Sequence, residues 1–149
     1  MSAIDTTLRE AEDRLGPGEA ACLSAARKAL FHWAEVISSG DVASVLALYA
    51  PDAILVPTLS NEIGEREEER RRYFESFLSN QGLRCTISSQ KKRVSRKLGT
   101  VVIGGLYTFD FIRNGRAESV PARFLFTFEE IDGRWLITGH HSSRLSEAI

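Results

Sequence analysis

Apolar residues recur at helical spacing in the first part of the chain and at alternate positions in the second half. Ile4, Leu8, Ala11 and Leu15 mark a first helical stretch, with Thr7 and Glu10 spaced as a capping box. Gly16-Pro17-Gly18 ends it. A longer helix is predicted from about Glu19 to Ser38, with Leu23, Leu30, Trp33 and Ile37 on one face. Gly40 stands at its C-terminal cap, and Asp41 is placed to cap a short helix over Val42 to Tyr49. A brief strand, Ala53 to Val56, stops at Pro57, and a polar loop, Thr58-Leu59-Ser60-Asn61, follows. The next helix is predicted from Glu65 to Leu78. Glu67/Arg71 and Glu68/Arg72 pair acid before base one turn apart, so its charge run reads as a solvated face.

From Leu83 onward the pattern is that of strands. Gly99, Asn114-Gly115 and Asp132-Gly133 divide the region into four. Alternation is visible in Tyr107-Thr108-Phe109-Asp110-Phe111 and again from Arg123 to Phe128. Lys91, Lys92, Arg93, Arg96 and Lys97 read as the guard of a sheet edge. The order predicts an α+β fold: helices packed on a curved, mostly antiparallel sheet, a cone enclosing a pocket. Residues 1–18 form a helical extension in this reading, and 19–149 a single domain.

Composition narrows the function. The hydrophobic fraction is 43%, enough for a core, while 19 basic and 20 acidic residues nearly cancel. That balance argues against a broad nucleic-acid surface. No apolar run reaches membrane-spanning length, and the polar, acidic N-terminus lacks the features of a secretory leader, so a cytoplasmic protein is expected. Cys22 and Cys85 follow no ligand or redox spacing and are expected as free thiols.

The densest chemistry lies in the last strand, Trp135-Leu136-Ile137-Thr138-Gly139-His140-His141-Ser142-Ser143, which holds two of the three histidines. Strand alternation puts His141 and Ser143 on one face and His140 and Ser142 on the other. An imidazole and a hydroxyl two residues apart on a cavity-facing strand can bind a small anion and move a proton. The reading places His141 and Ser143 in the pocket, with His140 and Ser142 facing away; a one-residue slip exchanges the pairs. Adjacent histidines that face apart do not share one ion, and no metal site is expected from these residues. No nucleophile elbow, phosphate loop or dinucleotide fingerprint is present. Asp52 and Asp110 lack an oxyanion partner for isomerase chemistry.

Ser39-Gly40-Asp41 and Leu48-Tyr49-Ala50-Pro51-Asp52-Ala53, followed by four long strands, resemble the nuclear-transport-factor-2-like (NTF2-like, SnoaL-like) superfamily. From Ala29 to Glu147 the chain is similar to its calcium/calmodulin-dependent kinase II association-domain branch. Within that branch it resembles the iota class of carbonic anhydrases. The carrying segments are Leu55-Val56-Pro57-Thr58-Leu59-Ser60-Asn61, Tyr73-Phe74-Glu75-Ser76-Phe77-Leu78, Gly105-Leu106-Tyr107-Thr108-Phe109, Ala122-Arg123-Phe124 and the His140-His141-Ser142-Ser143 strand. Two departures stand out. Arg144-Leu145-Ser146-Glu147 replaces a Met-Pro-Glu type ending, and Gly64 stands where a basic residue is expected.

The resemblance implies reversible hydration of CO2 to bicarbonate. Thr58, Tyr73 and Ser143 then supply hydroxyls to bicarbonate and His141 accepts or relays the proton, making these the catalytic set. Arg123, Ser60 and Tyr107 are the substrate-binding set. The resemblance covers metal-free members and members linked to a divalent metal; the metal-free form is expected here, with zinc or manganese the alternative cofactor. Two other readings compete: a non-catalytic association module, and a different small-molecule enzyme of the superfamily, which needs a deep apolar pocket and an inward carboxylate. Phe109, Phe111, Phe124, Phe126 and Phe128 exceed what one cone interior is expected to need, which points to a homodimer through the sheet.

Overall fold

The computed structural model describes residues 15–147. The expected helical stretch with its Thr7/Glu10 box lies outside them, apart from Leu15. Helix α1 spans Pro17–Ser39. It starts two residues before the expected Glu19 because proline is favoured in a first helical turn, where its missing N–H costs nothing. Gly40, at φ 75°, ends it in the left-handed cap that glycine adopts without strain. Asp41 caps α2, Val42–Leu46, accepting from the Ser44 N–H at 3.3 Å and the Ser44 hydroxyl at 2.7 Å. This helix is shorter than expected, and β1, Tyr49–Val56, is longer, because the chain turns out of the helix to run parallel to the last strand.

Helix α2 and β1 lead into α3, Glu67–Phe77, and then four long strands: β2 Gln81–Ser95, β3 Thr100–Arg113, β4 Arg116–Ile131 and β5 Arg134–Arg144. The sheet order is β1-β5-β4-β3-β2, with only the β1–β5 pair parallel. The fold is the expected α+β arrangement of helices on a mostly antiparallel sheet. The Asn114-Gly115 and Asp132-Gly133 turns have positive φ at both residues, as two-residue hairpins of this hand require.

One face of the sheet carries Tyr107, Phe109 and Phe111 from β3 and Phe124, Phe126 and Phe128 from β4, all buried against Leu23, Leu30, Trp33 and Ile37 of α1 and the rest of the core. The five phenylalanines that suggested surplus apolar surface are therefore consumed inside one chain. The other face exposes different residues, Leu106, Leu125 and Ile54 among them.

Two irregularities shape the sheet. In β2 the pairing skips Ser88, and the Ser89 carbonyl lies where a Cβ on Gly105 would have to be. In β5, Gly139 pairs Thr127 and Ile137 pairs Phe128, so Thr138 is an extra residue, a β-bulge.

Candidate functional site

The bulge at Thr138 decides which side chains of β5 enter the cone. Ile137 is buried; strict alternation from it would bring His141 and Ser143 inward. The extra residue reverses the parity. His140 then sits opposite buried Phe126, and Ser142 opposite buried Phe124. Directly paired residues share a face of the sheet. His140 and Ser142 are each 5% exposed, whereas His141 is exposed and pairs with exposed Leu125. This corrects the expected orientation: the inward pair is His140/Ser142, and His141/Ser143 belong to the outer face.

Arg123 lies on that outer face too, its Nε donating to the Ser143 hydroxyl at 2.9 Å, so it does not reach the cavity. Ser60 stays in the loop after β1, exposed, where its hydroxyl accepts from the Glu62 N–H at 3.1 Å. Thr58, Tyr73 and Tyr107 do converge on the interior. They line one small cavity with Trp33, Pro57, Phe77, Phe109, His140 and Ser142. About 10 Å³ of it is open to a water-sized sphere, roughly what one water molecule needs. A cleft of about 490 Å³ lies outside it and shares Leu55, Pro57, Tyr73 and Phe77 as a common wall. Ser60, Glu62, Glu69, Arg72 and Arg113 line the outer cleft.

The polar groups of the cavity form one continuous hydrogen-bonded chain. The Trp33 indole N–H donates to the Tyr49 hydroxyl at 3.0 Å. Tyr49 Oη is 2.9 Å from His140 Nδ1. Tyr107 Oη is 3.2 Å from His140 Nε2 and donates to Ser142 Oγ at 2.5 Å. Ser142 Oγ in turn contacts Thr58 Oγ1. The His140 ring stacks on Phe126 at 3.9 Å between centroids and meets Trp33 edge-on at 5.2 Å. Burial pushes the His140 pKa down to about 3 from 6.5, with nearby His141 a smaller contribution in the same direction. The imidazole is therefore neutral at ordinary pH. Burial also raises the hydroxyls of Tyr49, Tyr73 and Tyr107, so all three stay protonated donors.

Tyr73 projects from α3 and stacks on Phe77 at 5.5 Å. Among the described residues its hydroxyl has no hydrogen-bonding partner. Tyr49 is held from the other side by Arg70. That side chain is 1% exposed and donates to the carbonyls of Ala53 at 2.8 Å, Pro51 at 3.1 Å and Ala50 at 3.2 Å. Its guanidinium lies 6.0 Å from the Tyr49 ring centroid, and its Nε has no partner. Arg70 thus ties α3 to the irregular start of β1, where backbone carbonyls lack sheet partners. It hides within a charge run that otherwise behaves as a solvated face, with Arg71–Glu67 at 3.6 Å and Arg72 pairing Glu62 at 2.6 Å instead of Glu68.

Sequence reasoning assigned Trp33 and Tyr49 to the core alone. The available signal was chemical: a buried indole or phenol seeks a partner for its polar tip. His32 is exposed beside Glu35, 3.9 Å away, and takes no part in the cavity. Among the described residues no three His, Cys, Asp or Glu side chains cluster as a metal site. The one cavity imidazole has both nitrogens engaged, so this donor set does not fit a zinc or manganese ion. Cys22 and Cys85 are free, and burial pushes the Cys85 thiol up to about 12, away from nucleophilic use. No described helix is long and apolar enough to cross a membrane.

Residues 26–146 match the calcium/calmodulin dependent protein kinase II association domain. The chain belongs to that family. A Xanthomonas campestris structure, described as a candidate member of the same domain, is 38% identical, with a TM-score of 0.75 over 81% of this chain and 86% of its own. The association domain of the C. elegans kinase is 18% identical, covering 86% of this chain and 99% of its own with a TM-score of 0.71. A candidate dehydratase of the NTF2-like family from Streptomyces avermitilis is 12% identical, covering 87% and 99% with a TM-score of 0.76. The last two likenesses establish the NTF2-like fold. No curated protein sequence matches the chain.

Proposed function

We propose that the protein is a carbonic anhydrase, hydrating CO2 to bicarbonate reversibly in the cavity lined by Thr58, Tyr73, Tyr107, His140 and Ser142. The observation that carries this reading is the cavity itself: one-water size, aromatic on one side and hydroxyl-lined on the other. Its dimensions disfavour a steroid or polyketide, and it holds no carboxylate to act as an isomerase base. CO2, with three heavy atoms, needs the wall to give, and partly exposed Tyr73 is the member of it that faces the outer cleft.

In this reading CO2 rests against Phe77 and Phe109, and one water attacks its carbon. The Thr58 and Tyr73 hydroxyls donate to the oxygen on which negative charge grows, the role of an oxyanion hole. The proton lost by the water passes out through the cleft, whose wall carries Glu62 and Glu69. His140 orders the hydroxyl chain from behind. Rate enhancement rests on positioning and a preorganised polar wall, so turnover is slower than that of a zinc enzyme.

The partner we propose is a second copy of the chain, docked through the outer sheet face. Exposed Leu106 and Leu125 share a groove there with Lys91 and Arg93, while Asp52, Ile54 and Glu129 line a second groove towards β1. A two-fold pairing sets the basic half of one chain over the acidic half of the other.

Stopped-flow CO2 hydration on protein purified in chelator tests the activity. Wild type is expected to exceed buffer, and Thr58→Val to lose about tenfold or more, the equivalent of one charge-assisted hydrogen bond. Absence of activity in wild type, with or without added zinc or manganese, would instead support a non-catalytic association module.

A further inference from the structure

The direction of the hydrogen bonds in the cavity follows from the one group in the chain that can only donate. An indole N–H has no acceptor capacity. Trp33 Nε1 lies 3.0 Å from Tyr49 Oη, so it takes a lone pair of that hydroxyl. The Tyr49 proton must then go to the hydroxyl's other neighbour, His140 Nδ1 at 2.9 Å. Nδ1 is therefore the bare nitrogen. The opposite arrangement, with the proton on Nδ1, would leave Tyr49 between two donors with its own O–H unpaired at a site 4% exposed, and a buried unpaired hydroxyl costs about 1–3 kcal/mol.

The other side of the ring agrees. Tyr107 donates to Ser142 Oγ, so Tyr107 Oη accepts, and its remaining neighbour is His140 Nε2 at 3.2 Å. A donor is needed there, which is Nε2–H. Ser142, having accepted from Tyr107, passes its proton to Thr58 Oγ1. The Thr58 hydroxyl proton is left over, at the cavity end of the chain.

We propose that Trp33 is a positioning residue that, through Tyr49, fixes His140 in its Nε2–H tautomer, so that Tyr107, Ser142 and Thr58 are all polarised to donate towards the cavity and the site recognises a hydrogen-bond-accepting oxygen of a carbonate- or carboxylate-like anion. This rests on the cavity proposed above as the site and deepens it. The chain cannot take a proton from the cavity in this state, since each step inward would end on an Nε2 that already carries one. The histidine orients the site instead of acting as its base, and the proton of any attacking water leaves by the outer cleft. Because burial keeps the ring neutral, the tautomer rather than the charge is what the surroundings select.

The test is long-range 1H–15N correlation of histidine-labelled protein recorded without CO2, so that a protein lacking hydratase activity still gives an answer. With three histidines in the chain, His140→Gln assigns the signals. Wild type is expected to show His140 with Nε2 protonated and Nδ1 bare, unchanged between about pH 5 and 8. Trp33→Phe opens room for a water that can accept from Tyr49, and Tyr49→Phe removes the donor to Nδ1; each is expected to turn the single tautomer into a mixture. The two variants are independent, so the failure of one to fold leaves the other readable. A proton on Nδ1 in wild type overturns the proposal, as does an unmixed Nε2–H form in both variants.

Discussion

At the residue scale the site depends on His140 being neutral and buried. Its folded pKa, about 3, lies below the 6.5 of the free side chain. The unfolded chain therefore binds a proton that the folded one refuses, and the stability contribution present above pH 6.5 is lost as pH falls towards 3. Between pH 6.5 and 5, before most carboxylates titrate, the slope from this one proton approaches about 1.4 kcal/mol per pH unit. Urea unfolding at several pH values should show it, and His140→Gln should flatten it; an unchanged slope in the variant would assign the dependence elsewhere. Arg70 makes a second prediction. Arg70→Met leaves three backbone carbonyls at the start of β1 without their donor and is expected to destabilise by about 2–3 kcal/mol. A loss below half a kcal/mol would mean that water replaces it freely.

At the element scale most of the fold is legible because its signals are local. The αL glycine after α1, the Asp41 cap and the two hairpin turns all act within a few residues of themselves. The parallel pairing of β1 with β5 was not legible, since it joins segments far apart in sequence. The site was half legible. Thr58, Tyr73 and Tyr107 were found, but a period of two cannot reveal that Thr138 is an extra residue. That one residue moves His141 and Ser143 outside and brings His140 and Ser142 in. The β2 irregularity makes its own prediction. A Cβ at Gly105 would lie 1.8 Å from the Ser89 carbonyl oxygen. Gly105→Ala is expected to cost about 1–3 kcal/mol, the usual range for forced overpacking. Unaltered unfolding in that variant would mean that the β2 backbone yields at no cost.

At the scale of the whole molecule, family membership does not choose between hub and enzyme, because one fold hosts both. The cavity separates them, and the outer face adds assembly. Sedimentation is expected to give a dimer for wild type and a monomer for Leu125→Asp, which puts a charge at the centre of that face; a monomeric wild type would contradict the assembly. The same division of the sheet into two faces gives the central claim its most direct test: CO2 hydration measured side by side in Ser142→Ala and Ser143→Ala. Each variant removes one hydroxyl from neighbouring residues of β5, inner and outer. The account predicts that Ser142→Ala loses about tenfold or more while Ser143→Ala keeps wild-type activity. Loss in Ser143→Ala with retention in Ser142→Ala would contradict it, and would place the chemistry on the outer face.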